Sequence, residues 1–175
     1  RARAEEVRAA SITAVHLPQG GMPALGDNPL FLGCADYRST IASNAESSGF
    51  TFPEEMRRHA DKGTALVTDK DPGDAEIAEV VSQAAAHSCI VLGTYNGHIL
   101  QGQLRLAKAL AATGLPMILV ALRNPYDLRN MPDHVATLAG WEYTRPLFDA
   151  LWPVLNGTAR PTGKLPLLTL TKAAE

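Results

Sequence analysis

Apolar and polar positions alternate along the chain in two patterns. Short runs are apolar at every position, and longer stretches place apolar residues three or four positions apart. The clearest run, at 117–122, ends abruptly at Arg123-Asn124-Pro125. A strand that is apolar at every position must be covered on both faces, so this run predicts a parallel sheet between helix layers. Asn124 is then expected to cap a short helix that starts at Pro125, with Asp127 beside the free amides of its first turn.

The remaining strands and helices follow from the same two patterns. Further strands are predicted at 12–17, 30–34, 64–68, 89–92 and 135–139. Helices are predicted at 3–10, 74–86, 98–113 and 147–155, and weaker ones are predicted to start near Ser39 and Pro53. Within 98–113 the apolar stripe comprises Leu100, Leu104, Ala107 and Ala111, and Gln103 is expected on the polar face.

Strands and helices that alternate at this spacing predict an α/β fold. The expected architecture is a three-layer α/β/α sandwich with a mostly parallel, flavodoxin-like sheet. At 175 residues a single domain is expected, spanning 1–170, with a frayed tail at 171–175. The chain begins with Arg1 rather than Met, so we expect it to be a piece of a longer protein.

Composition narrows the range of partners. The 16 basic and 18 acidic residues leave a net charge of -2, and no run of five basic residues occurs, so no nucleic acid is expected as a partner. No stretch approaches the roughly 18 apolar residues of a membrane span, so no membrane is expected either. Cys34 and Cys89 each sit in or beside an apolar run and are expected to be buried thiols, which leaves the compartment open.

Familiar signatures of cofactor and metal sites are missing. Gln19-Gly20-Gly21 lacks the spacing of a dinucleotide or phosphate loop, so no cofactor is expected. Asp69, Asp71 and Asp74 do not match a calcium loop, because the glycine comes one position early and Val80 replaces the final Glu. Asp74 is instead expected to cap a helix. The five histidines show no metal-ligand spacing, so no metal is expected.

Two other enzyme classes lack their motifs. No Gly-x-Ser-x-Gly elbow is present for a serine nucleophile. A phosphoacceptor receiver domain has the same fold class, but it would need two acidic residues after the first strand, where this chain has Pro18 and Gln19.

Four segments carry a resemblance to a known family. In order they are 90–96 (Ile-Val-Leu-Gly-Thr-Tyr-Asn), Gln103-Leu104, 116–128, and Asn156-Gly157 with Gly163-Lys164-Leu165-Pro166. Together they resemble the C-terminal domain of glycoside hydrolase family 3, and more narrowly its β-N-acetylhexosaminidase branch. The resemblance covers almost the whole chain, from Ile12-Thr13 to Pro166.

The resemblance implies that catalysis lies outside this chain. In that family a TIM-type barrel supplies the catalytic carboxylate nucleophile, and a barrel needs roughly 250 residues. In the β-glucosidase branch the C-terminal domain adds an acid/base Glu from the loop that here is 93–98, a loop without Glu or Asp. In the hexosaminidase branch that group also comes from the barrel. The chain is therefore expected to have no catalytic residue and to pack against the N-terminal barrel of the same parent enzyme, a hydrolase of terminal N-acetylglucosaminides.

Four residues follow predicted strand ends, where doubly wound sheets present ligand groups. They are Tyr95, Asn96, His98 and Arg123, the expected rim for an amino-sugar oligosaccharide, although capping or packing also accounts for each. Two alternatives stay open: a stand-alone flavodoxin-like module that binds a small ligand or sugar, and an independent glycosidase that uses a pair such as Asp69 and Asp71.

Overall fold

A six-stranded sheet organises residues 2–36 and 49–165, the part of the chain that this computed structural model describes. The helices are α1 Ala2–Ser11, α2 Phe52–Ala60, α3 Asp74–Ala84, α4 Gln101–Ala111 and α5 Arg145–Leu155, with a 3₁₀ helix at Pro125–Leu128. The strands are β1 Thr13–His16, β2 Pro29–Cys34, β3 Thr64–Thr68, β4 Cys89–Thr94, β5 Met117–Ala121 and β6 Val135–Ala139. The helix predicted near Ser39 and the predicted tail at 171–175 lie outside the described residues.

The strand order is β1-β6-β5-β4-β2-β3. Strands β2 to β6 pair in parallel, and only β1 runs antiparallel, against β6. From the β3 edge, and without β1, the five parallel strands follow the flavodoxin order, in which the first strand lies between the second and the third. The predicted three-layer sandwich with a mostly parallel, flavodoxin-like sheet is therefore confirmed.

Alternate residues of the central strands enter two separate cores. Phe31, Val91 and Ile118 face α2 and α5, whereas Leu30, Leu92 and Leu119 face α3 and α4. Strands β2, β4, β5 and β6 are buried at every position because helices cover both faces of the sheet. None of the helices within 2–36 and 49–165 is long and apolar enough to cross a bilayer.

Three sequence predictions about helices were wrong in detail. Helix α4 begins at Gln101 rather than at His98, because the Asn96 carbonyl accepts the amides of Ile99 and Leu100 and closes a separate turn first. Its buried stripe contains Leu106 and Leu110 instead of Leu100 and Leu104, which are only half-buried. Asp74 does not cap α3, since the N-cap is Gly73 and the cap has no side-chain hydrogen bond.

The core between α2, α5 and the sheet is held by an aromatic cluster around Phe148. Its ring meets Phe52 edge-on at a centroid distance of 5.4 Å and Tyr143 at 5.1 Å. Phe148 has no exposed surface, so removing its ring leaves a cavity that three elements share.

We predict that Phe148→Ala lowers the free energy of unfolding by about 3–5 kcal/mol, because the lost burial of the ring and the cavity left behind both destabilise the folded state. Urea denaturation followed by circular dichroism measures the change. Val7→Ala is the matched control, since Val7 is 63% exposed on α1 and its truncation should leave stability almost unchanged. Equal losses in both variants would contradict the assignment of Phe148 to the centre of this core.

Both cysteines are free and buried, as predicted. Burial raises the pKa of Cys34 and of Cys89 to about 12, because a thiolate is poorly solvated there. At pH 8 each thiol stays protonated, and only the thiolate is a good nucleophile.

We therefore predict that neither cysteine reacts with Ellman's reagent in the folded chain at pH 8, and that both react after unfolding in guanidinium chloride. Absorbance of the released thionitrobenzoate counts the reactive thiols. A stoichiometric, rapid reaction in the folded chain would show that at least one thiol is accessible.

Candidate functional site

Several polar side chains lie where the parallel strands end. We call this edge of the sheet the carboxyl edge and define it by the loop 69–71 after β3, the loop 95–100 after β4 and residues 122–124 after β5. Because β4 and β5 are neighbours in the sheet, their two loops lie side by side. Ligands of open α/β sheets bind at such edges, so the carboxyl edge is the candidate functional site.

The loop after β4 turns sharply at Asn96. Its backbone has a φ of 58°, a left-handed conformation that asparagine tolerates better than most residues, and its side chain is buried. Gly97 follows, and a Cβ there would lie 3.1 Å from Oδ2 of Asp127, so the neighbouring carboxylate approaches the backbone closely. The turn places His98 beside the loop after β5.

Asp127 fixes this loop from the 3₁₀ helix. The Oδ2 atom accepts the amide of Gly97 at 2.9 Å, and the Oδ1 atom accepts the amide of His98 at 2.7 Å. The carboxylate is 1% exposed, so both bonds form away from solvent, where charge-assisted hydrogen bonds are strong. The sequence prediction had placed Asp127 beside the amides of its own helix, and the structure shows that it binds amides 29 and 30 residues away instead.

Asn124 caps the 3₁₀ helix, as predicted. Its Oδ1 atom accepts the amide of Tyr126 at 3.1 Å, and Pro125 occupies the first position of the helix. Its Nδ2 atom lies 3.4 Å from Nε2 of His98. The other ring nitrogen, Nδ1, lies 3.4 Å from Oδ1 of Asp127. His98 therefore stands between two side chains of the neighbouring loop.

The side chain of Gln103, on α4, holds the loop after β4 through three hydrogen bonds. Its Oε1 atom accepts the amide of Tyr95 at 2.8 Å, while its Nε2 atom donates to the carbonyls of Tyr95 and Lys70. The side chain is 3% exposed, although its position on α4 had been predicted to be polar and open to solvent. This amide joins the loops after β3 and β4.

Arg123 and Tyr95 form a pair on the exposed side of the edge. The Nη1 atom of Arg123 donates to the Tyr95 hydroxyl at 3.1 Å, and the guanidinium carbon lies 5.6 Å from the ring centroid. The Tyr95 ring in turn packs edge-on against Tyr143 at 5.3 Å. Burial raises the pKa of Tyr143, whose neutral hydroxyl accepts the amide of Phe52 and donates to the Cys34 carbonyl.

The structure brings all four predicted rim residues to this one edge, but they differ in exposure. Tyr95 and Asn96 are buried, His98 is half-buried and Arg123 is exposed. Only His98 and Arg123 present a substantial polar surface to a ligand. Sequence reasoning missed Asp127 and Gln103 as organisers of the site, because nothing in the local pattern records contacts across 29 to 33 residues.

Three carboxylates near this edge, those of Asp69, Asp71 and Glu55, accept hydrogen bonds from backbone or arginine groups. Asp69 accepts the amide of Asp71, and Asp71 accepts the amide of Gly102 at 2.7 Å. Burial would raise the pKa of Glu55, but hydrogen bonds from Arg58 and Arg145 outweigh it and lower that pKa. Within 2–36 and 49–165, no group of three or more His, Cys, Asp or Glu side chains is arranged to hold a metal ion.

The described residues also line cavities away from this edge. One of about 650 Å³ runs along α1 beside Trp141, and one of about 360 Å³ lies beside Trp152. Neither is lined by any of the four predicted rim residues. The candidate site at the carboxyl edge is therefore distinct from these cavities.

The fold is similar to parts of larger solved enzymes. A glycoside hydrolase family 3 β-N-acetylglucosaminidase from Paenibacillus sp. str. FPU-7 aligns over 97% of this chain and 32% of its own, with 23% identity and a TM-score of 0.80. A fungal multi-domain family 3 β-N-acetylglucosaminidase aligns over 93% of this chain and 18% of its own, with 18% identity and a TM-score of 0.71. A β-glucosidase from Listeria innocua aligns over 94% of this chain and 26% of its own, with 17% identity and a TM-score of 0.72.

These likenesses establish the fold of this chain as one that forms part of family 3 glycoside hydrolases. The chain spans at most about a third of the length of these three enzymes. No family model matches the sequence, and no curated protein matches it.

We predict that Gln103→Leu lowers the free energy of unfolding by about 1–3 kcal/mol, because it removes three hydrogen bonds that a buried side chain makes to the backbone of Tyr95 and Lys70. Hydrogen exchange at the Tyr95 amide should accelerate as well. Gln83→Leu is the matched control, since Gln83 lies exposed on α3 and its side-chain amide donates to the Glu79 carboxylate. If Gln103→Leu were as stable as Gln83→Leu, the hydrogen bonds of Gln103 would not stabilise the loops after β3 and β4.

Proposed function

We propose that this chain is an accessory, non-catalytic domain of a larger family 3 glycoside hydrolase that removes terminal N-acetylglucosamine. The observation that carries the proposal is the match to the Paenibacillus β-N-acetylglucosaminidase, which covers 97% of this chain and only 32% of that enzyme. These proportions are expected if the chain corresponds to one domain of a larger enzyme and the catalytic residues belong to another domain. On this proposal, residues 1–170 form the accessory domain and the remainder of the parent enzyme is a catalytic barrel.

The hydrogen bonds that carboxylates of this chain accept support a non-catalytic role. Retaining hydrolysis of a glycoside needs two carboxyl groups about 5 Å apart, one free to attack and one free to donate a proton. Asp127 accepts two backbone amides, and Asp69 and Asp71 each hold a backbone amide of this chain. Asp127, whose two oxygens are both engaged away from solvent, is a poor candidate for either role. The alternative of an independent glycosidase built on Asp69 and Asp71 is separated from the proposal by the Asp69→Asn variant.

The carboxyl edge is the surface that we propose to face the barrel. It combines polar groups, His98 and Arg123, with two exposed apolar side chains, Ile99 at 65% and Tyr126 at 41%. Apolar groups beside polar ones at an open edge suit a contact with a second protein surface. The four rim residues would then border a cleft whose opposite wall and catalytic carboxylates belong to the barrel.

Expression of the complete reading frame that contains this sequence tests the proposal. We expect a product with an additional barrel-sized segment that hydrolyses p-nitrophenyl N-acetyl-β-D-glucosaminide, because that segment brings the carboxylates. We expect no turnover by the 175-residue chain alone. p-Nitrophenyl β-D-glucoside is the matched control substrate, and its slower hydrolysis would place the parent enzyme with the N-acetylglucosaminidases.

Two results would overturn the proposal. Turnover by the 175-residue chain, abolished by Asp69→Asn, would establish an independent glycosidase. A complete reading frame with no barrel-sized segment would favour a stand-alone module that binds a small ligand.

A further inference from the structure

We propose that His98 and Asn124 form a hydroxyl-binding pair that contacts one sugar hydroxyl of the substrate, and that Asp127 is the positioning residue of this pair. The proposal rests on the proposed function, because it takes the ligand at the carboxyl edge to be a sugar. Its structural part concerns only contacts within this chain.

The orientation of the Asn124 amide follows from its role as a cap. The Oδ1 atom accepts the amide of Tyr126 at 3.1 Å, and only an oxygen can accept there. The Nδ2 atom must then occupy the other position, 3.4 Å from Nε2 of His98. Because an amide nitrogen is a donor only, it requires an acceptor on the histidine ring. Nε2 of His98 therefore carries a lone pair.

The opposite side of the ring leads to the same protonation pattern. Nδ1 is buried, and Oδ1 of Asp127 lies 3.4 Å from it. A lone pair on Nδ1 would face a carboxylate and be repelled, whereas an N–H there is attracted to the negative charge. Two independent neighbours thus indicate the tautomer of His98 with its proton on Nδ1 and its lone pair on Nε2.

The Asn124 amide and the His98 ring thus place a hydrogen-bond donor and an acceptor side by side at the carboxyl edge. Nδ2 of Asn124 has a second hydrogen to donate, and Nε2 of His98 accepts. Because Nε2 has a single lone pair, a ligand hydroxyl binds by replacing the long 3.4 Å contact between the two side chains: its oxygen accepts from Nδ2 of Asn124 and its proton is donated to Nε2 of His98. The side chain of His98 is 32% exposed, so its free face is accessible to a ligand. Sugar hydroxyls are the ligand groups that fit.

Asp127 holds both members of the pair in place. Its carboxylate binds the backbone of Gly97 and His98, and it lies in the same 3₁₀ helix that Asn124 caps. One buried carboxylate therefore fixes the backbone at His98 and lies 3.4 Å from Nδ1 of its ring. A site prepared in this way loses little conformational entropy when a ligand binds.

The first test measures the ring nitrogens of His98 in the 175-residue chain by ¹⁵N–¹H correlation NMR at alkaline pH, where imidazoles are generally neutral. We expect the proton on Nδ1 in the wild-type chain and an increased share on Nε2 in Asp127→Asn. Asp74→Asn is the matched control, since the Asp74 side chain is 94% exposed and remote in sequence from the loop. A thermal melt of each variant confirms that it is folded.

The second test uses the complete enzyme with p-nitrophenyl N-acetyl-β-D-glucosaminide and its 3-, 4- and 6-deoxy analogues. We expect His98→Ala to raise KM about 5- to 10-fold with kcat nearly unchanged, because a rim contact of this kind stabilises ground state and transition state alike. His98→Gln should recover part of the loss. One deoxy analogue should bind more weakly to the wild type, and His98→Ala should cause no further loss with that analogue.

The two tests separate the possible failures. A wild-type proton on Nε2, or no change in Asp127→Asn, would overturn the positioning role. The expected tautomer with an unchanged KM in His98→Ala would overturn the contact with the sugar. A complete enzyme without N-acetylglucosaminidase activity would overturn the proposed function and with it the sugar contact, while the NMR result would still decide the role of Asp127.

Discussion

The buried carboxylate of Asp127 is the contact on which the candidate site depends. Strands β4 and β5 are neighbours in the sheet, but pairing of strands does not determine how the loops beyond them are arranged. Asp127 joins these loops by accepting two amides of one while it belongs to the other. Such a carboxylate is costly to bury unless its bonds are satisfied, and backbone amides that no strand or helix uses need acceptors. The carboxylate supplies the acceptors and the amides supply the donors, so a few strong hydrogen bonds fix the geometry of the two loops.

The sheet itself required no long-range knowledge to predict. Runs such as 117–122 are apolar at every position, and a fully apolar strand implies cover on both faces whatever its partners are. The five strands predicted between 30 and 139 were therefore found within one or two residues of their observed limits. The caps at Asn124 and the stop after α5 were predicted for a related reason, because the bonds they make are local.

The site could be predicted only in part, because its geometry depends on distant pairs. The rule that ligand groups follow parallel strands selected His98 and Arg123 correctly as edge residues. It gave no reason to expect that Gln103 would be buried, since glutamine on a helix ordinarily faces water. The burial of Gln103 follows from three bonds to residues 8 and 33 positions away, and one sequence holds no record of such pairs. Asp127 was misplaced for the same reason.

The polar side chains of the carboxyl edge are held in place by the contacts of this chain, and this affects how strongly they can bind a ligand. Hydrogen bonds at a fully solvated surface contribute little to binding, because water competes for every donor and acceptor. Rigid placement of His98, Asn124 and Arg123 becomes effective only when a second surface excludes that water. The cavities beside Trp141 and Trp152 lie away from this edge. Exposed Ile99 and Tyr126 beside the polar groups offer the apolar contact through which a second domain would close it. On the proposed function, the carboxyl edge supplies one side of a cleft whose other side belongs to the catalytic domain.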